Sequence, residues 1–192
     1  MSVDLATLKA KVKAIESQGT PKTAETSSKP LNPEVAPEPS GLFATGDDIA
    51  KRIRWNAMDL LSRREHSQKE LRLKLSKRYP DNLVEIEHCI ADLAMEGLQS
   101  EQRYCEAYVA MRHRKGYGPL RILSELRDKG VDDNMAKTEI YNCRFDWFAS
   151  VADVWQKKFR GCLPQDAKER SRQMRFLAYR GFSQDQISTI YS

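Results

Sequence analysis

Residues 113–131 read HRKGYGPLRILSELRDKGV: a cationic run, a Gly-Tyr-Gly-Pro turn, an amphipathic segment and a second glycine. A phosphate-binding loop at 116–119 would need a preceding strand and the pattern Gly-x-x-x-x-Gly-Lys-Ser/Thr. The sequence offers neither, and Pro119 has no N–H to present to an anion. The stretch reads instead as a joint between helices. Gly116 closes one helix, Gly118 lets the chain turn and Pro119 occupies the first turn of the next, which Gly130 then stops.

The same grammar recurs on both sides. Leu75, Leu126 and Leu177 lie 51 residues apart, and Arg78, Lys129 and Arg180 keep that interval. Leu71 and Ile122 match as well. The pairs Gly130-Val131 and Gly181-Phe182 each put a left-handed cap before an apolar residue that can fold back on the last turn. Capping signals fall in phase with the period: Ser67-x-x-Glu70, Ser100, Asp132 and Ser183-x-x-Gln186. Pro80-Asp81-Asn82, Gly97 and the break from Gly161 to Pro164 separate further helical stripes. No strand-length alternating segment is evident. The expectation is an all-α chain of three tandem three-helix repeats forming an elongated, curved array. Helices of about a dozen residues are too short to stand alone in water and must bury their stripes against neighbours.

The repeats are expected at residues 47–98, 99–144 and 145–192. Residues 1–46 read as a flexible Pro/Ser-rich leader carrying prolines 21, 30, 33, 37 and 39, with a possible short helix on Leu5, Leu8, Val12 and Ile15. The ordered part is expected to begin near residues 45–48, with a stripe of Ile49, Ile53, Ala57, Leu60 and Leu61. Trp55, Trp147 and Trp155 are assigned to the core, with Tyr104 and Tyr108.

No apolar run approaches the ~18 residues that a membrane span requires, and the first residues alternate charged with apolar side chains, unlike a secretory signal. A cytoplasmic monomer is expected. Cys89, Cys105, Cys143 and Cys162 show neither paired spacing nor histidines at zinc-ligand intervals, so reduced thiols are expected and no metal. His66, His88 and His113 read as surface or capping residues. No nucleophile arrangement, phosphate loop or metal set is present, so neither catalytic residues nor cofactors are expected.

The chain carries a net charge of +5. Residues 1–48 hold five Lys/Arg against seven Asp/Glu, so the rest is more basic than the total. Residues 51–78 hold ten Lys/Arg against three acids, and residues 157–180 hold eight against two. Repeated basic stretches suit a long periodic polyanion or acidic partner. The candidate contacts are Arg63, Arg64, Arg72, Lys74 and Arg78 in the first stretch. Around the joint they are Arg112, Arg114, Lys115 and Arg121, with Tyr117 as the exposed aromatic among them. Gly116, Gly118, Pro119, Gly130 and Gly181 are assigned structural roles at joints.

The segments SQKELRLKLSKR, SEQRYCEAYVAMRHRKGYGPLRILSELRDKGV and RFLAYRGFSQDQI, in that order, resemble the bacterial RecX regulators of the RecA recombinase. The most specific parts are Arg103-Tyr104, Lys115-Gly116-Tyr117-Gly118-Pro119 and Arg180-Gly181-Phe182, within a likeness spanning roughly residues 49–192. The resemblance implies three tandem three-helix repeats and a protein that lies in the groove of the RecA filament. It implies restraint of the filament's ATPase, strand-exchange and coprotease activities, and so tuning of recombinational repair and the SOS response. Two departures stand out: the leader has no counterpart, and Gln99-Ser100-Glu101 replaces the family's acidic run. Serine caps a helix as well as aspartate does. Single- or double-stranded DNA is a further candidate partner, and a different reading of the basic helices is a direct DNA-binding module acting without RecA.

Overall fold

The computed structural model describes residues 46–142 and 145–192. The leader and Cys143 lie outside the described residues. Among the described residues all regular structure is helical, in three groups of three. The first group is α1 (Gly46–Arg63), α2 (Gln68–Arg78) and α3 (Leu83–Met95). The second is α4 (Glu101–Arg114), α5 (Pro119–Asp128) and α6 (Asp133–Tyr141), and the third is α7 (Trp147–Phe159), α8 (Ala167–Arg180) and α9 (Gln184–Ser188). In each group all three helices pack on one another.

Local chemistry explains most of the boundaries. Asp47 and Asp48 place carboxylates at the N-terminal end of α1, where the helix dipole favours negative charge. Side-chain oxygens of Ser67, Ser100, Asp132, Asp146, Asp166 and Ser183 accept from amides in the first turns of α2, α4, α6, α7, α8 and α9. Such caps each contribute about 1 kcal/mol. Val131 N donates to Leu126 O at 3.1 Å and Phe182 N donates to Leu177 O at 3.2 Å, so α5 and α8 end in the same way, 51 residues apart. The reciprocal capping box at Ser183 and Gln186 forms as expected. At Ser67 only half of it does: the Glu70 carboxylate turns away to Arg64 (2.9 Å) and Lys129 Nζ (2.8 Å).

The periodic residues make the core. Leu71, Leu75, Ile122, Leu126 and Leu177 are all buried. Helices α1–α3 close around a core of their own, with Ile53, Ala57, Leu71, Ile86, Ile90 and Leu93. The second and third groups instead share one continuous core that runs from Tyr104 and Val109 through Leu126 and Ile140 to Trp147, Leu177 and Ile187. Trp147 seals this junction by donating its indole N–H to Ile140 O at 3.0 Å.

The junction between the first and second groups is polar. His66, Ser67 and Gln99 are buried there. Gln99 Nε2 donates to His66 O (3.2 Å), Gln68 N donates to Glu101 Oε1 (2.6 Å) and Arg103 Nε donates to Glu65 Oε1 (2.7 Å). His66 is therefore not a surface histidine. Burial pushes its pKa below the ordinary histidine value, with a hydrogen bond to Arg64 O opposing the shift. His113 is half-buried, stacked on Phe145 with ring centroids 4.1 Å apart and paired with Ser150 Oγ at 2.8 Å, while His88 is exposed.

Trp55 also departs from expectation: it is 68% exposed. The buried line of α1 runs through Ile53 and Ala57. A residue two positions after Ile53 sits about 200° around the helix, on the opposite face. Trp147 is in the core, and Trp155 is half-buried with its indole N–H donated to Gln173 Oε1 at 2.7 Å. Tyr104 is buried and Tyr108 partly so. Cys89 and Cys105 are buried free thiols and Cys162 is exposed. Among the described residues no helix is long and apolar enough to cross a membrane.

Candidate functional site

The Gly-Tyr-Gly-Pro segment is a joint between repeats as well as between helices. Gly116 follows α4 with φ +73°. Gly118 N then donates to Arg180 O at 2.9 Å, and Leu120 N donates to Gly181 O at 3.0 Å. The first free amides of α5 are thus satisfied by the last carbonyls of α8, which leaves them unavailable to a phosphate. Pro119 fills the N-terminal turn of α5, where no N–H is needed. Backbone meets backbone so closely that a Cβ on Gly118 would lie 2.5 Å from the carbonyl carbon and oxygen of Gly181. The role of Gly118 is this close approach, since its φ of −87° is open to any residue.

The same contact occurs one period earlier. Ser67 Oγ accepts from Glu70 N at 3.1 Å and donates to Lys129 O at 2.8 Å. Gly130 abuts Lys69, whose Cβ would lie 3.0 Å from a Cβ on the glycine. Ser67 and Lys129 are separated by 62 residues, as are Gly118 and Arg180. The middle helices of successive repeats therefore meet N-terminus to C-terminus, bringing helix ends of opposite partial charge together.

Three of the predicted contact residues are held inside this joint. Glu125 accepts from Arg112 Nε (2.5 Å), Arg121 Nε (3.0 Å) and the Tyr108 hydroxyl (3.1 Å), and Arg112 Nη2 reaches its other oxygen. The Arg112 and Glu125 side chains are only 15% and 19% exposed. Burial raises the Glu125 pKa, but hydrogen bonds from Arg112, Arg121 and Tyr108 outweigh it and hold the carboxyl below its ordinary value. Tyr117 is not the exposed aromatic that the sequence suggests. Its ring is partly buried beneath the guanidinium carbons of Arg112 (4.0 Å), Arg121 (4.5 Å) and Arg180 (5.2 Å from the centroid). Such cation–π contacts gain strength where water is excluded. Glu125 was not legible as the centre of this cluster; its only sequence signal is the i,i+4 spacing to Arg121.

Several cations of the first basic stretch are likewise neutralised by ion pairs. Arg63 pairs with Asp59 (2.9 Å), Arg64 with Glu70 (2.9 Å) and Arg54 with Glu96 (2.6 Å), while Arg72 is forked onto Glu87. Glu87 lies on α3 and Glu96 is the residue that caps its C-terminus; α3 lies outside the cationic stretch in sequence but packs against it. Lys74 and Arg78 remain exposed without an ion-pair partner among the described residues, as do Arg114 and Lys115. Nor is any ion pair formed among the described residues of the third group, although Lys157, Lys158, Arg172 and Arg175 are all exposed there. Exposed cations without an ion pair among the described residues thus include Lys51, Lys74, Lys77 and Arg78 in the first group, Arg114 and Lys115 at the end of α4, and several on α7 and α8.

The models of the three RecX three-helix domains match this chain in order: the first at residues 56–87, the second at 100–138 and the third at 146–190. The chain belongs to the RecX family. It is 45% identical over 146 residues to the regulatory protein RecX of Pseudomonas fluorescens, covering 76% of this chain and 93% of that one. It is 48% identical over 139 residues to the RecX of Ectopseudomonas mendocina, covering 72% and 91%. The crystal structure of RecX from Lactobacillus salivarius superposes with a TM-score of 0.63 at 24% identity, covering 76% of this chain and 96% of that one, and shares the fold.

Proposed function

We propose that this RecX-family chain is a non-catalytic regulator that binds the RecA nucleoprotein filament and restrains its ATPase, strand-exchange and coprotease activities. It acts in the cytoplasm as a monomer. The observation that carries the reading is the repeated 62-residue joint, which strings the three-helix units in series and spaces their unpaired cations along the chain. A periodic partner can meet such a series at several points, whereas a single compact ligand would use one.

The mechanism requires no bond to be made or broken. A protein that touches more than one protomer binds the assembled filament more tightly than the separate subunits. A ligand with that preference shifts the equilibria of assembly and conformation by its difference in affinity. Lys74 and Arg78 in the first repeat, and Arg114, Lys115, Lys157 and Lys158 farther along, supply the charged contacts. Arg112, Arg121 and Tyr117 act beneath them by fixing the joint.

ATP hydrolysis by RecA filaments on single-stranded DNA should fall as this protein is added. A variant with Lys74, Arg78, Arg114 and Lys115 all replaced by alanine should need about tenfold more protein for the same effect, a loss of about 1.4 kcal/mol. Since all four are exposed, its folding stability should stay within about 0.5 kcal/mol per site. Unchanged hydrolysis at saturating protein, with no co-sedimentation with filaments, would exclude the proposal.

A further inference from the structure

An open groove of about 430 Å³ lies where the end of α4 meets α7 and α8. Arg114, Lys115, Lys157, Lys158 and Arg180 line it, with Asp153 as its single carboxylate. None of the five cations forms an ion pair among the described residues. Five like charges facing one space repel each other unless an anion is supplied. Elsewhere in the chain comparable cations meet carboxylates, as Arg72 meets Glu87 and Arg127 meets Asp133.

The groove is also built to hold its cations in place. Arg180 Nη1 donates to Lys115 O at 3.0 Å, which anchors the guanidinium at the C-terminal end of α4. Its Nε and Nη2 have no acceptor among the described residues. Its guanidinium carbon is 5.2 Å from the ring centroids of both Tyr117 and Phe176, and Lys158 Nζ lies 5.7 Å from that of Phe176. These rings are already engaged by cations. The groove's polar groups are likewise engaged: Ser150 Oγ donates to Asp146 O at 2.6 Å and pairs with His113.

We infer that this groove is a nucleic-acid site that grips the phosphodiester backbone of a single strand without reading its bases. The charge density decides the ligand class. A single strand carries a negative charge on every nucleotide and can set successive phosphates among the five cations. An acidic segment of a protein usually intersperses its carboxylates with uncharged residues, and its backbone amides would find few free partners here. The site differs from the cluster around Glu125, and it does not depend on the filament reading, since nucleic acid alone should occupy it.

The test uses the full chain without RecA. Fluorescence anisotropy of a labelled oligothymidylate is measured across a salt series for the unmodified protein and for two triple variants. One variant combines Lys115→Ala, Lys157→Ala and Lys158→Ala in the groove; the other combines Lys51→Ala, Lys77→Ala and Lys137→Ala, exposed lysines outside it. The groove variant should bind at least about tenfold more weakly, and its dependence of log K on log salt should flatten by about 2, as expected for three lost phosphate contacts on a single strand. The variant outside the groove should stay within about twofold. Thermal melting confirms that both fold, and a Lys157→Gln, Lys158→Gln pair replaces the triple if the groove variant does not. Equal losses in the two variants, an unchanged salt slope in the groove variant, or equally tight groove-dependent binding of polyglutamate would each overturn the assignment. Filament binding that persists while oligothymidylate binding fails would sink this inference and leave the proposed function standing.

Discussion

Gly181→Ala is expected to cost about 3 kcal/mol or more in urea denaturation of the full chain. Two penalties combine at this position. The backbone has φ +95°, a conformation that L side chains rarely adopt, and an added Cβ would collide with Arg121, lying 2.5 Å from its amide nitrogen. That nitrogen belongs to the rigid first turn of α5, so relief requires the joint between the second and third repeats to open. Opening it also breaks the hydrogen bonds from Gly118 N and Leu120 N to the end of α8. Gly161→Ala separates the two penalties. Gly161 has φ +72° with no neighbour within 4 Å of an added Cβ, so only the backbone cost of about 1 kcal/mol applies. Equal losses in the two variants would show that the joint is not tightly packed.

Glu125→Gln should cost about 2 kcal/mol near neutral pH. The substitution keeps the shape but removes the charge that two arginines share, and Arg112 is too far from water to be re-solvated without rearrangement. The pH dependence gives the sharper signature. Because the folded state holds Glu125 below its ordinary value of 4.5, the unfolded chain takes up its proton first as pH falls. The carboxylate's contribution is therefore fully present above about pH 4.5 and is lost as pH falls through the folded value. Urea denaturation at pH 7 and at about pH 3 should show the gap between the unmodified protein and Glu125→Gln narrowing on acidification. A gap that stays constant would mean that the charge of Glu125 contributes nothing.

The repeat architecture was legible because it rests on short-range chemistry repeated at a fixed interval. Leu75, Leu126 and Leu177 mark the same buried position in three helices, and the caps that bracket them act within a few residues. Gly118 and Gly181 were recognised as joint residues, but their mutual contact could not be read from local sequence, because 63 residues separate them. The same limit applies to the groove. Lys157 and Lys158 face Arg114 and Lys115 only after α7 packs beside α4, so a reading along the chain places them in different basic stretches.

Charge was the most misleading signal. The density of Lys and Arg at residues 51–78 suggested an open basic surface, yet α3 folds Glu87 and Glu96 onto it. Arg112, Arg121 and Tyr117 lie close together in sequence and in the fold, but their mutual contacts and Glu125 turn them inward. Trp55 shows the converse error. Its size and its company of apolar residues argued for burial, whereas the helical angle set by Ile53 and Ala57 turns it outward. His66 was missed because what buries it is the tertiary joint between the first and second repeats.

An assembled periodic partner should be bound in preference to a single subunit. Equilibrium binding of the labelled full chain should be compared for preassembled RecA filaments on single-stranded DNA, for unassembled RecA at the same protomer concentration, and for the DNA alone. The account predicts binding to filaments at least about tenfold tighter than to either component, because contacts with adjacent protomers reinforce one another. Affinity for unassembled RecA equal to that for filaments, or no binding to filaments, would contradict it.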